Sequence, residues 1–168
     1  MNSSEVFLKD NADWLRDITA FHTSNIEPHI GKPKGCRPDE VNDLERRVGL
    51  RLPIAYKQYL HWMGQDRAGI FKGSECFVSD VLRLTDALPE VLHASRIKHQ
   101  LPDRYLVCFS HQGYRFAWFE LPSKDEDPPV WMFTEGEDPA VRRVGAFTNF
   151  ILTLMSDLAP FIRAQSRG

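Results

Sequence analysis

At 168 residues, with 42% apolar and 26% charged side chains, the chain has the makings of one globular domain with a proper core and is short for two. A net charge of −2 excludes a general nucleic-acid binder, which carries a basic stripe, and supports a strongly acidic mimic of nucleic acid no better. No apolar run reaches bilayer-spanning length, the opening MNSSEVFLKDNADW lacks the basic and apolar regions of a secretory signal, and the widely spaced Cys36, Cys76 and Cys108 imply no disulfide framework. The sequence therefore predicts a cytoplasmic protein with no membrane partner and no direct nucleic-acid partner.

The first predicted element is a helix over residues 5–21, with Ser4 as its cap. Phe7, Leu8, Trp14, Leu15, Ile18 and Phe21 cluster on one side. Pro28, Gly31, Pro33 and Gly35 mark residues 22–37 as a loop. Pro38 and Asp39 then open a helix whose Val41, Leu44 and Val48 form a narrow apolar stripe, and Gly49 stops it. Leu52-Pro53 starts a second helix carrying Tyr56, Tyr59, Leu60 and Met63, which Gly64 ends. Beyond a polar stretch, Ile70 and Phe71 are read as a short strand. A helix is predicted from Asp86, with Pro89 and Glu90 in its first turn.

From Arg104 the texture becomes β-rich. Strands are predicted at Tyr105 to Phe109, Arg115 to Phe119 and Val130 to Phe133, with a turn at His111-Gln112-Gly113. Such short connections imply an antiparallel meander. Phe147, Phe150, Ile151, Leu154 and Leu158 then describe an amphipathic helix that Pro160 ends or kinks. The predicted fold is α+β: a single antiparallel sheet with helices packed against it. Val41, Leu44, Tyr56, Leu60, Phe109, Trp118, Phe147, Ile151 and Leu154 are the predicted core.

Glu45 at mid-helix, the Gly49 stop, Leu52-Pro53, Tyr56-Lys57 and the terminal Gly64 resemble the signature of the SUKH superfamily. That group includes a yeast regulator of cell-wall assembly and many bacterial immunity proteins. The resemblance extends to Val130–Phe133, a short acidic turn, and Phe147 with Phe150 opening the last helix. It implies a SUKH-like domain at 35–158, with an N-terminal helix and loop (1–34) appended and a polar tail at 159–168. Ser110 to Arg115 departs from the acidic, glycine-rich turn common in the family, so no role for those acids carries over.

The residues show little chemistry. The six histidines form no His-Glu-x-x-His, and no Cys-x-x-Cys completes a zinc site. Cys108 and His111 stand three apart on a strand and so face opposite sides, which leaves Cys108 as a small core residue. No nucleophile elbow, phosphate loop or dinucleotide fingerprint occurs. Neither catalysis nor a cofactor or metal is predicted.

One charge pattern stands out. Between Glu120 and Asp138 there are seven acids and one base, Lys124. Asp125, Glu126, Asp127, Glu135, Glu137 and Asp138 are read as an acidic rim steering a partner, with Trp131 as an aromatic anchor beside it. The SUKH resemblance implies the partner: a cognate bacterial toxin whose active cleft the protein blocks, and a nuclease's basic cleft would suit the acids. The alternative it leaves open is a regulatory interaction scaffold without a toxin partner. The surface around Trp14 is the second candidate interface.

Overall fold

The structure, a computed structural model, describes residues 14–166. Among these residues there are six helices and five strands: α1 (Arg16–Asn25), α2 (Glu27–Ile30), α3 (Pro38–Val48), α4 (Ile54–Met63), β1 (Ser74–Glu75), α5 (Val81–Ala94), β2 (Tyr105–His111), β3 (Arg115–Glu120), β4 (Pro129–Thr134), β5 (Val141–Ala146) and α6 (Phe147–Gln165). The strands form one sheet in the order β1-β2-β3-β4-β5, every neighbouring pair antiparallel. This is the α+β architecture expected from the sequence.

Both faces of the sheet are covered. On one, Leu106, Cys108, Phe119, Val130 and Met132 meet the apolar sides of α1, α3, α4 and α6. On the other, Val107, Phe116, Trp118 and Phe133 meet Leu84, Leu88 and Leu92 of α5. A bulge between Val107 and Phe109 turns Cys108 and Phe109 into the same core, which simple alternation would have split. The larger core is centred on aromatic rings. Tyr56 stands edge-on to Phe119 and Phe147 at 5.1 and 5.4 Å between centroids, geometry that adds about 0.5–1.5 kcal/mol per pair beyond burial.

The two central helices form as their end signals dictate. Gly49 adopts φ 72° and donates its N–H to the Glu45 carbonyl at 3.0 Å, closing α3 in the left-handed conformation that glycine tolerates best. The stretch leading into α3 lies flat against the end of α4. There Cys36 N–H reaches Leu60 O at 2.8 Å, and a Cβ on Gly35 would fall 1.7 Å from the His61 carbonyl oxygen.

Several expected boundaries move. Residues 5–13 of the first expected helix, with Phe7 and Leu8, lie outside the described residues. The described part continues past Phe21 to Asn25, and α2 takes Pro28 into its first turn, so much of the expected 22–37 loop is helical. Ile70 and Phe71 are buried in turns; the strand comes later, where Ser74 and Glu75 pair with His111 and Ser110. Helix α5 begins at Val81, and Pro89 lies inside it. Proline has no N–H for the Thr85 carbonyl four residues back. Tyr105 of β2 fills that role, its hydroxyl donating to Thr85 O at 3.2 Å, while Thr85 Oγ1 accepts Val107 N–H at 2.9 Å. The proline gap thus becomes a joint between helix and sheet.

At the C-terminal end, α6 runs through Pro160 to Gln165, so of the two outcomes expected there the proline does not end it, and Ile162 packs on the core within the stretch expected to be a polar tail. Its buried line is Phe147, Ile151, Met155 and Ala159, each four residues after the last, with Phe150 beside it. Leu154, read as core, is consequently only half-buried, whereas the other eight predicted core residues are buried. Strand β5 falls in a stretch, between the acidic turn and α6, for which the sequence predicts no strand. It pairs with β4 from Pro129↔Ala146 to Phe133↔Val141.

Candidate functional site

The signature residues build a structural elbow. Glu45 Oε2 accepts Leu52 N–H at 2.7 Å across the α3–α4 bend and meets Lys57 Nζ at 3.2 Å. Leu52 is fully buried, and Pro53 precedes the first turn of α4. Every charge in this motif therefore has a partner within the domain.

The six acids read as one rim divide into two loops at opposite ends of β4. Asp125, Glu126 and Asp127 precede Pro129, while Glu135, Glu137 and Asp138 follow Thr134. The intervening strand of six residues spans roughly 20 Å. Two of the acids are used inside the fold. Glu126 Oε2 accepts Ile54 N–H at 2.9 Å, its carbonyl accepts Ala55 N–H at 3.0 Å, and Oε1 meets Arg51 at 2.6 Å. The loop thereby caps α4 with a negative charge at the positive end of the helix dipole. Asp127 does the same for α6: Thr148 donates both its N–H, at 2.9 Å, and its hydroxyl to the carboxylate, and Pro128 O accepts Phe147 N–H at 2.8 Å.

Asp125 is exposed at that end of the sheet. At the other end Glu135, Glu137 and Asp138 are all exposed beside the β2–β3 turn, where Glu135 N–H donates to Tyr114 O at 2.9 Å. That turn has positive φ at Gln112 and Gly113, as expected for a tight hairpin. Trp131 is half-buried on the α5 face of the sheet, its ring 5.6 Å from that of His99. It is not grouped with the acids.

Sequence reasoning passed over a feature next to the second acidic loop. Between the last three strands and α6 a cleft of about 420 Å³ is lined by Arg115, Arg142 and Arg143, with Met132, Val144 and Leu154 among its apolar residues and Asp157 as its acid. Arg142 meets Glu137 at 3.6 Å, and neither Arg115 nor Arg143 has a carboxylate partner among the described residues. Arg115 Nε is buried without a hydrogen-bond partner. Arg142 and Arg143 stand side by side in the sequence, but the convergence of Arg142 with Arg115 depends on strand pairing.

The cysteines and the buried histidine, His22, behave as core groups. Burial pushes the Cys36 thiol up to about 11 and the Cys76 thiol up to about 12, and Cys108 is raised by the same cause. Thiolate, the nucleophilic form, is therefore scarce at neutral pH. His22 is fully buried, its ring 5.3 Å from Trp62, and neither nitrogen has a hydrogen-bond partner among the described residues. Burial lowers its pKa below 6.5, against the opposing pull of Asp66 and Glu27. Among the described residues no three His, Cys, Asp or Glu side chains are grouped to hold a metal ion, and no helix is long and apolar enough to cross a membrane.

A five-stranded antiparallel meander, covered on both faces and keyed by a glutamate-locked helical elbow, defines the class: a SUKH-type α+β domain. The chain belongs to the SMI1 / KNR4 family (SUKH-1), whose model matches residues 35–153. A comparison with curated proteins found no match. SUKH domains are known for protein–protein interaction and are generally non-catalytic.

Proposed function

We propose that this protein works by binding a protein partner, and that the partner is a cognate toxin whose active cleft it covers. The observation that carries this reading is the SUKH-1 match over most of the chain. Stoichiometric blockade needs only a complementary surface: buried contacts hold the complex, and exposed charge speeds encounter. Glu135, Glu137 and Asp138 suit the steering role, being exposed on a single loop. Asp125 lies at the far end of the sheet, and Glu126 and Asp127 are engaged within the fold, so these contribute less. The half-buried Trp131 is assigned no anchoring role.

The test is to co-express the chain with the product of the gene directly upstream and to follow both growth and complex formation. The expected result is a stoichiometric complex and restored growth. A stable partner that is harmless to the cell, with no toxicity relieved, would replace this reading by the regulatory scaffold.

A further inference from the structure

We infer that the arginine cleft, together with the open edge of β5, receives an extended acidic segment of a protein partner. The inference rests on the binder reading above and adds the chemistry of what is bound.

Charge points to an anion. Arg37, Arg51, Arg67 and Arg83 each meet a carboxylate within the domain; Arg115 and Arg143, like Arg96 and Arg104, meet none among the described residues. Arg142 keeps only a long contact to Glu137 on the exposed rim. Arg115 and Arg142 share the α6 face of the sheet, opposite Thr134 and Met132, and outnumber the cleft's single acid, Asp157; their planar forks suit carboxylate oxygens, while Arg143, next along the edge, faces the other side. The buried, unpaired Nε–H of Arg115 adds a donor whose desolvation cost a bound acceptor would relieve.

The backbone points to an extended chain. Strand β5 pairs with β4 on one side, and among the described residues no strand pairs with its other side. A segment added there gains main-chain hydrogen bonds, and alternate side chains turn toward the cleft. Acids at those alternate positions would meet the arginines, with apolar stems lying on Val144 and the half-exposed Leu154.

A free phosphate would use neither the strand edge nor the apolar residues. A nucleic acid would leave the main-chain groups on the open edge of β5 without strand partners and would gain nothing from Val144 and Leu154.

The test uses the isotope-labelled full chain and a short synthetic peptide alternating glutamate with valine, followed by NMR at low salt. The expected result is shifts at the β5 amides and at Arg115 Nε–H. Binding should be weakened about tenfold or more in the R142E/R143E variant, as reversal of interface charge implies. Both substituted side chains are exposed, and an unchanged Tm verifies folding. A peptide with lysine for glutamate should leave these signals unmoved, and inorganic phosphate should leave the β5 amides unmoved.

No shift at millimolar peptide, shifts confined to another surface, or phosphate reproducing the β5 shifts would each overturn the inference. A toxin partner bound undiminished by R142E/R143E would overturn it too, while leaving the binder reading intact. Peptide binding at β5 with no partner recovered in the co-expression test would sink that reading and support this site.

Discussion

The α3–α4 elbow and the β5–α6 edge use similar residues, glutamate, arginine, leucine and glycine, to opposite ends. At the elbow Glu45 is fixed by Leu52 N–H and Lys57, Leu52 is fully buried, and Gly49 closes the helix. At the edge, among the described residues, Arg115 and Arg143 lack carboxylate partners and one side of a strand is left unpaired, and Leu154 is half-exposed. Satisfied charge and buried leucine serve stability, while unsatisfied charge and half-buried leucine serve encounter. The family signature falls on the first region, so it records how the domain folds and not what it meets.

Substitution should separate the two regions by size of effect. Leu52→Ala, at the fully buried centre of the elbow, should cost about 2–5 kcal/mol by denaturant unfolding. A loss of about 0.5 kcal/mol or less would mark the elbow as ordinary surface. Glu126→Ala should cost about 1–2 kcal/mol, because Ile54 N–H loses its cap although the residue was read as part of a binding rim. A stability unchanged by that substitution, together with weakened partner binding, would return Glu126 to the rim.

His22 supplies a pH test of the packing behind the elbow. Its folded pKa lies below the ordinary 6.5 because burial disfavours the charged ring. The unfolded chain therefore takes up the proton first as pH falls. Stability is full above about 6.5 and declines as pH drops toward the folded value, by at most about 1.4 kcal/mol per pH unit for one proton. Asp66, whose carboxyl is raised above 3.8 by burial, works in the opposite direction in more acidic solution. His22→Phe should flatten the decline just below 6.5, and an unaltered slope would mean that His22 is not its source. The smallest expected effect on stability is at the other region. Reversing Glu135, Glu137 and Asp138 to lysine should change unfolding free energy by no more than about 0.5 kcal/mol, while slowing partner association and altering its salt dependence.

What could be read in advance follows the range of the interactions. The elbow was legible because Pro38, Gly49, Pro53 and Gly64 act on their immediate neighbours. Strand β5 was not, since Val141–Ala146 sets two arginines side by side and carries Gly145 at φ 102° next to a register shift, hiding the alternation that strands usually show. Pro89 read as a helix start because the hydroxyl that accommodates it mid-helix comes from Tyr105, on another element. The six acids fall within one short stretch of sequence and so read as a single rim, although β4 separates them. Arg115 lies far from Arg142 in sequence, and only the pairing of β3 with β4 and β4 with β5 brings the two to one cleft.

The β3–β4 loop has a practical consequence. Pro122 to Pro128 is short, polar and proline-flanked, the profile usually chosen for inserting a tag, a fluorophore or a protease site. Glu126 and Asp127 make it the clasp between the starts of α4 and α6, so lengthening it would loosen both helices at once. A reporter belongs instead between Gln112 and Gly113, in a turn whose exposed tip caps no helix.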